Sequence, residues 1–301
     1  MFDWTLTYTL RIRKPSTKLR GFIAENDTGS VNNETIAYHT EDKQMRFKNR
    51  VAFITGGGGP LGIGRATCIA FAREGATVVV AGGRMADAVA EEIRGIGGRA
   101  IAVSLDVTIP EQVQAAVDTT IGEFGRLDIL FNNAGILGQQ TLFEITPDEF
   151  DRVMAVNVKG CLLCTQVAAK VMIEKGIRGR IINNSSIYAE ESHVGVLSYC
   201  VSKAAVNRLT RSLALELRPH GITVNAIAPG GGAPTGMNAS HNLPLDNSLP
   251  ELLPAPHDAP PLDRRATVWD YIGAVLFLAS DEAAYISGDI LTIDGGAVSR
   301  R

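Results

Sequence analysis

No apolar run in this chain approaches the roughly 20 residues that a membrane-spanning helix needs, so a membrane partner is not expected. One-sided charge is missing as well. The 29 basic and 32 acidic residues leave a formal net charge of −3, and no field favours nucleic acid over other partners. Cysteine is scarce: Cys68, Cys161, Cys164 and Cys200 suggest no disulfide framework, which fits a reducing, cytoplasmic compartment. Cys161 and Cys164 form a C-x-x-C, but no second Cys/His pair stands nearby to complete a zinc site. They are expected as small buried helix residues, and no metal is expected. Internal repeats and convincing linkers are absent after residue 47.

What is present suffices for one large α/β domain: 301 residues, 45% apolar and 20% charged. Residues 1–46 read differently, as an N-terminal extension to a domain over 47–301. Their first 24 positions hold Arg11, Arg13, Lys14, Lys18 and Arg20 against the single acid Asp3, without the apolar core of a secretory signal. A disordered or loosely docked extension is the expectation. A mitochondrial targeting segment is the alternative.

From Phe47 onward, short Val/Ile-rich runs alternate with longer helical patterns. Val51–Thr55, Thr77–Ala81, Ala100–Leu105, Ile129–Phe131, Ile181–Asn183, Thr223–Ile227 and Ile290–Ile293 read as strands buried on both faces. Ile63–Glu74, Met85–Arg94, Pro110–Phe124, Pro147–Glu174, Tyr199–Arg218 and Thr267–Ala279 read as helices. Pro110 and Pro147 suit first-turn positions, each with a Thr upstream to help cap the helix. Such alternation predicts a single-domain, doubly wound, parallel seven-stranded sheet, a Rossmann fold. Residues 230–263 break the rhythm with Gly, Pro, Asn, Asp and His. A loop of that length beyond a strand's carboxyl end reads as a substrate-side lid.

Two clusters carry chemistry. Thr55-Gly56-Gly57-Gly58-Gly59-Pro60-Leu61-Gly62-Ile63-Gly64 follows the first strand and opens a helix, so its backbone can approach a pyrophosphate at the helix N-terminus. No Lys-Ser/Thr follows, which excludes a nucleoside-triphosphate loop. Downstream, Tyr199 and Lys203 stand four apart, one helical turn, with Ser186 thirteen residues before Tyr199. Hydride transfer to a carbonyl needs a positioned proton donor. A tyrosine near its ordinary pKa of about 10 serves better when a neighbouring cation, here Lys203, lowers it.

Together these residues resemble the short-chain dehydrogenase/reductase family. Thr55, Gly56, Gly62 and Gly64 match its TGxxxGxG motif with two extra residues between Gly56 and Gly62. Leu105-Asp106-Val107, Asn132-Asn133-Ala134-Gly135, Ser186 with Tyr199 and Lys203, Pro229-Gly230 and Asp294-Gly295-Gly296 follow in the family's order. Thr235 stands one residue late for the Thr that follows Pro-Gly in the family.

The resemblance implies an NAD(P)-dependent oxidoreductase interconverting a secondary alcohol and a carbonyl. Ser186, Tyr199 and Lys203 would be catalytic, and Asn157 would hold a water in the proton relay. Gly56, Gly62, Ile63, Gly64, Arg84, Asp106, Val107, Asn133, Ala134, Tyr199, Lys203, Pro229 and Gly230 would bind the cofactor. A homo-oligomer, dimer or tetramer, is implied in the same way. A non-catalytic nucleotide sensor, or an epimerase or dehydratase retaining bound NAD, is the alternative.

The second strand ends Val80-Ala81-Gly82-Gly83-Arg84 without a carboxylate for the ribose 2′-hydroxyl, and Arg84 suits a 2′-phosphate, so NADP is favoured over NAD. Tyr188, Glu190, Glu191 and His193 lie where the family lines its substrate pocket. A solvated loop is the expectation for the acids, with recognition of a polyhydroxylated or amine-bearing substrate as the alternative, and His193 has no visible metal-ligand partners.

Overall fold

In the computed structural model, residues 45–59, 61–230, 233, 262 and 264–298 are described. All of them belong to one compact unit, Gln44–Arg301. Pro60, Thr235, nearly all of the 230–263 segment and all but two residues of the 1–46 extension lie outside the described set.

Seven parallel strands form one sheet: β1 (Val51–Thr55), β2 (Thr77–Gly82), β3 (Arg99–Ser104), β4 (Ile129–Asn132), β5 (Arg180–Asn184), β6 (Thr223–Pro229) and β7 (Ile290–Ile293). Their order is β3-β2-β1-β4-β5-β6-β7. The direction of winding reverses between β1 and β4, where open sheets of this kind leave a crevice at the strands' carboxyl ends. Helices α1 (Ile63–Arg73), α2 (Ala86–Gly95) and α7 (Trp269–Ala279) pack on one face, around Ile54, Val78, Val80 and Phe131. Helices α3 (Pro110–Phe124), α5 (Gly160–Glu174) and α6 (Leu197–Leu217) cover the other, around Phe53, Val79, Leu130 and Ile181. Burial on both faces explains why strands such as Val-Ala-Phe-Ile-Thr show no polar alternation.

Four local expectations need correction. Pro147–Glu174 is not one uninterrupted α-helix: α4 (Pro147–Met154) passes through a π turn at Ala155–Lys159 into α5. A single inserted residue per turn hardly disturbs an apolar period, so the pattern does not reveal it. That same run is long and apolar enough, by length and composition alone, to cross a membrane, contrary to the expectation that no run is. Here Cys161, Cys164, Ala168 and Met172 bury its apolar face in the core instead. Thr146 does cap α4, accepting from the Glu149 amide at 3.2 Å, but Thr108 does not cap α3. Its hydroxyl is turned to Asp106 at 2.7 Å. Finally, α6 starts at Leu197, which places Tyr199 inside the first turn rather than at its opening.

Candidate active site

The glycine segment crosses the switch point with little more than backbone. Gly62 takes φ 122°, in a region closed to residues with a Cβ. Gly64 lies in the first turn of α1, where a Cβ would sit 2.4 Å from the Gly56 carbonyl oxygen and 2.6 Å from Asn133 Nδ2. The residues beyond the family spacing reach toward the β2–α2 turn, since a Cβ on Gly58 would meet the Ala86 nitrogen at 2.7 Å. Side chains then tie β1 to β4. The Thr55 hydroxyl accepts the amides of Asn133 (2.9 Å) and Ala134 (3.0 Å) and donates to the Phe131 carbonyl (3.3 Å). The Asn133 amide group donates to the Thr55 and Gly56 carbonyls at 3.0 and 3.3 Å.

The segment fits a dinucleotide. Helix α1 has no side-chain cap and no acid in its first turn, so its free N-terminal amides suit a pyrophosphate. A cleft of about 740 Å³ runs from Gly56, Gly62, Ile63 and Gly64 past Asn133 and Ala134 to Ser186, Tyr199, Lys203, Pro229 and Gly230. Among the described residues that line it there are two cations, Arg152 and Lys203, and no carboxylate.

Ser186, Tyr199 and Lys203 meet at the far end of this cleft. The first follows β5, where its oxygen accepts the Tyr188 amide at 3.2 Å and its hydroxyl hydrogen-bonds Tyr199. Lys203 lies one helical turn after Tyr199, with Nζ 5.4 Å from the phenol ring's centre. Ser185, the neighbour of Ser186, is occupied elsewhere: its hydroxyl donates to Asn207 Oδ1 at 2.6 Å, with the Lys203 carbonyl oxygen as a weaker second acceptor at 3.3 Å, bracing β5 on α6. The thirteen-residue offset therefore selects the serine that faces Tyr199.

The electrostatics differ from expectation. Burial pushes the Tyr199 phenol up to about 12; the Ser186 hydrogen bond opposes this, and nearby Tyr188 and Cys200 add to it. Lys203 does not offset that rise. It is itself pushed down to about 8 by burial. Its ammonium donates to the Asn184 carbonyl at 2.7 Å and stands over the ring rather than at the phenol oxygen. Loss of water disfavours both charged forms, and here that outweighs their mutual support.

Asn157 sits in the π turn, buried and outside the cleft lining. Its amide donates to the Ile136 carbonyl (3.0 Å) and Ser202 Oγ (2.9 Å), and its oxygen accepts the Ile136 amide (2.8 Å). The side chain thus braces the segment after Asn133-Ala134 against α6, and both of its donors are committed to protein groups.

Three expected cofactor residues are not brought to the cleft. Asp106 accepts the Thr108 hydroxyl and amide, at 2.7 and 2.9 Å, which hold its carboxyl below the usual range. Val107 packs on Gly160. Arg84 is exposed in the short turn between β2 and α2. The acids between Ser186 and Tyr199 also stay out of the lining: Glu190 accepts from Asn207 at 3.2 Å, and Glu191 lies 3.5 Å from His193. Tyr188 does line it, its ring edge-on to Tyr199 at 6.2 Å and stacked on His193 at 4.3 Å.

Other lining residues escaped sequence reasoning. Tyr271, on α7, donates its hydroxyl to the Gly230 carbonyl and so fixes the Pro229-Gly230 turn. Asn184 ends β5 beside Lys203, and Arg152 projects from α4, paired with Glu149 at 2.7 Å. Nothing in local sequence marks them, because each reaches the cleft from a different element.

Residues 59–298 match a protein family described as enoyl-(acyl carrier protein) reductase. The chain is 35% identical over 257 residues to a 3-oxoacyl-(acyl-carrier-protein) reductase of Thermotoga maritima, covering 84% of this chain and 100% of that protein. It is 39% identical over 255 residues to a galactitol 2-dehydrogenase of Agrobacterium fabrum, covering 84% and 98% respectively. The crystal structure of a short-chain type dehydrogenase/reductase from Mycobacterium marinum superposes with a TM-score of 0.75 at 35% identity, over 84% of this chain and 97% of that one.

Proposed function

The chain belongs to the short-chain dehydrogenase/reductase family, and on that premise we propose that Ser186, Tyr199 and Lys203 carry its proton transfer, with NADP as the nucleotide. It is an NAD(P)-dependent oxidoreductase that interconverts alcohols and carbonyl compounds. One observation carries the residue assignment: a hydrogen-bonded Ser186–Tyr199 pair, with Lys203 over the ring, lines the same cleft as the glycine segment.

The nicotinamide, when bound, supplies or accepts the hydride. In the reducing direction Tyr199 gives its phenolic proton to the carbonyl oxygen. With its pKa pushed up to about 12, the phenol holds that proton at neutral pH, as an acid must. Ser186 hydrogen-bonds the same oxygen and orients it. Lys203, an ammonium below a pH of about 8, supports the phenolate left behind and, by family resemblance, holds the nicotinamide ribose. Asn157 fixes the loop over which the relay to water would run.

NADP is favoured because Gly82–Ala86 holds no carboxylate, while Arg84 stands there exposed with no ion pair among the described residues. Charge-assisted hydrogen bonds from its guanidinium suit a 2′-phosphate. Asp106 and Val107 would border the adenine from outside the described cleft lining. A dimer or tetramer, a cytoplasmic location, an extension over 1–46 and a closing segment over 230–263 complete the reading, supported by family resemblance and composition alone.

Titration of the full chain with NAD, NADH, NADP and NADPH, followed by nucleotide fluorescence, tests this directly. Tighter binding of the NADP pair supports Arg84, whereas preference for the NAD pair overturns it. A panel of carbonyls that includes 3-oxoacyl thioesters and ketoses then covers the chemistry that the relatives' names span.

A further inference from the structure

We propose that Asn184 is a positioning residue for Lys203: its side chain pins the end of β5 to Asn133, and its main-chain carbonyl thereby sets where the lysine ammonium stands. Asn184 lies two residues before Ser186 and lines the cleft. Its Nδ2 donates to Asn133 Oδ1 at 3.0 Å, while its carbonyl accepts Lys203 Nζ at 2.7 Å. Asn133 in turn donates to the Thr55 and Gly56 carbonyls. A continuous chain of hydrogen bonds therefore runs from the glycine turn through two asparagines to the lysine.

Two further observations give this chain its weight. Lys203 is 3% exposed, and among the described residues no carboxylate lines the cleft around it, so a neutral carbonyl is its direct partner. The place of that carbonyl decides where a buried positive charge acts on Tyr199 and on a bound nucleotide. Asn184 Oδ1 is buried without a hydrogen-bond partner. The amide is thus held by its NH2 end alone, and the bond to Asn133 is what orients it. An apolar residue of similar size would pack there, but it would leave Asn133 Oδ1 without its donor and Asn184 without its side-chain tie to Asn133.

The inference rests on the reading of Tyr199 and Lys203 as the proton-transfer pair. Its test compares wild type, Asn184→Val and Asn184→Asp by NADPH fluorescence titration without substrate, thermal unfolding, and kcat for alcohol oxidation against pH. Asn184→Val is expected to unfold cooperatively, to bind NADPH roughly tenfold more weakly, and to shift the acidic limb of the profile up by about half a pH unit. The shift is upward because a displaced ammonium supports the phenolate less. Asn184→Asp, nearly isosteric, adds a negative charge and should move the limb further in the same direction.

Unchanged binding and an unmoved limb in both variants would make Asn184 a packing residue and overturn the proposal. So would loss of cooperative unfolding in both, which would assign it to the fold. If only the valine variant fails to fold, the aspartate variant decides. Wild-type protein that binds no nicotinamide nucleotide would sink the underlying reading as well, a result distinct from normal wild-type binding with indifferent variants.

Discussion

The segment from Gly56 to Gly64 and the cluster of Ser186, Tyr199 and Lys203 line one cleft, yet they are built in contrary ways. The first works by lacking side chains: a Cβ on Gly64 would press to 2.4 Å on the Gly56 carbonyl, and α1 opens with its amides uncapped. The second works through side chains that are almost wholly buried, whose charged forms burial disfavours. The difference teaches where each function is vulnerable. A backbone site fails when volume is added, whereas a side-chain site fails when a single polar group is removed.

Tyr199→Phe should give the sharpest contrast. Turnover is expected to fall by about a thousandfold or more, while NADPH titrates as in wild type. Binding lost together with turnover would erase the distinction between the two regions. Gly64→Ala should do the reverse, weakening NADPH binding strongly and lowering the unfolding temperature by several degrees, since overpacking typically costs about 1–3 kcal/mol. An alanine variant that binds and melts normally would show that the turn tolerates a Cβ.

The pH profile probes the side-chain region alone. On the proposed roles, reduction needs Tyr199 protonated and Lys203 charged, so its kcat should be level at neutral pH. It should decline as pH rises through about 8, where Lys203 loses its proton. Oxidation needs the phenolate and should climb with pH instead. A reductive rate that falls below neutrality would point to a different acid.

Arg84→Ala is expected to cost roughly tenfold in NADP affinity and nothing in NAD affinity; equal losses would remove Arg84 from the backbone region's recognition of nucleotide. Deleting residues 1–43 should leave kcat/KM within about twofold of the full chain, and a larger loss would bring that extension into the comparison.

Much of this was legible beforehand. The central strands stood out because parallel strands buried on both faces are continuous apolar runs, and Val51–Thr55 matches to the residue, as does the edge strand Ile290–Ile293, which is only partly buried. The choice of Ser186 over Ser185 followed from its offset to Tyr199. The π turn at Ala155–Lys159 was hidden because the apolar period runs through it undisturbed. Asp106 was expected at the cofactor, and its bonds from Thr108 in its own turn, with its place outside the cleft lining, were not legible. Short acidic side chains bond their local backbone wherever a turn permits.

By itself the sequence determined the order of elements, the place of the glycine turn and which residues are proposed for proton transfer. These depend on neighbours in the chain, on a strand's apolar run or a helix's four-residue spacing. Only the tertiary structure decided that Tyr271 would clamp Gly230, that Asn184 would hold Lys203, and that the Tyr199 phenol would be pushed up rather than down. Burial and contacts between distant elements arise from packing the whole sheet, and no local window of residues contains them.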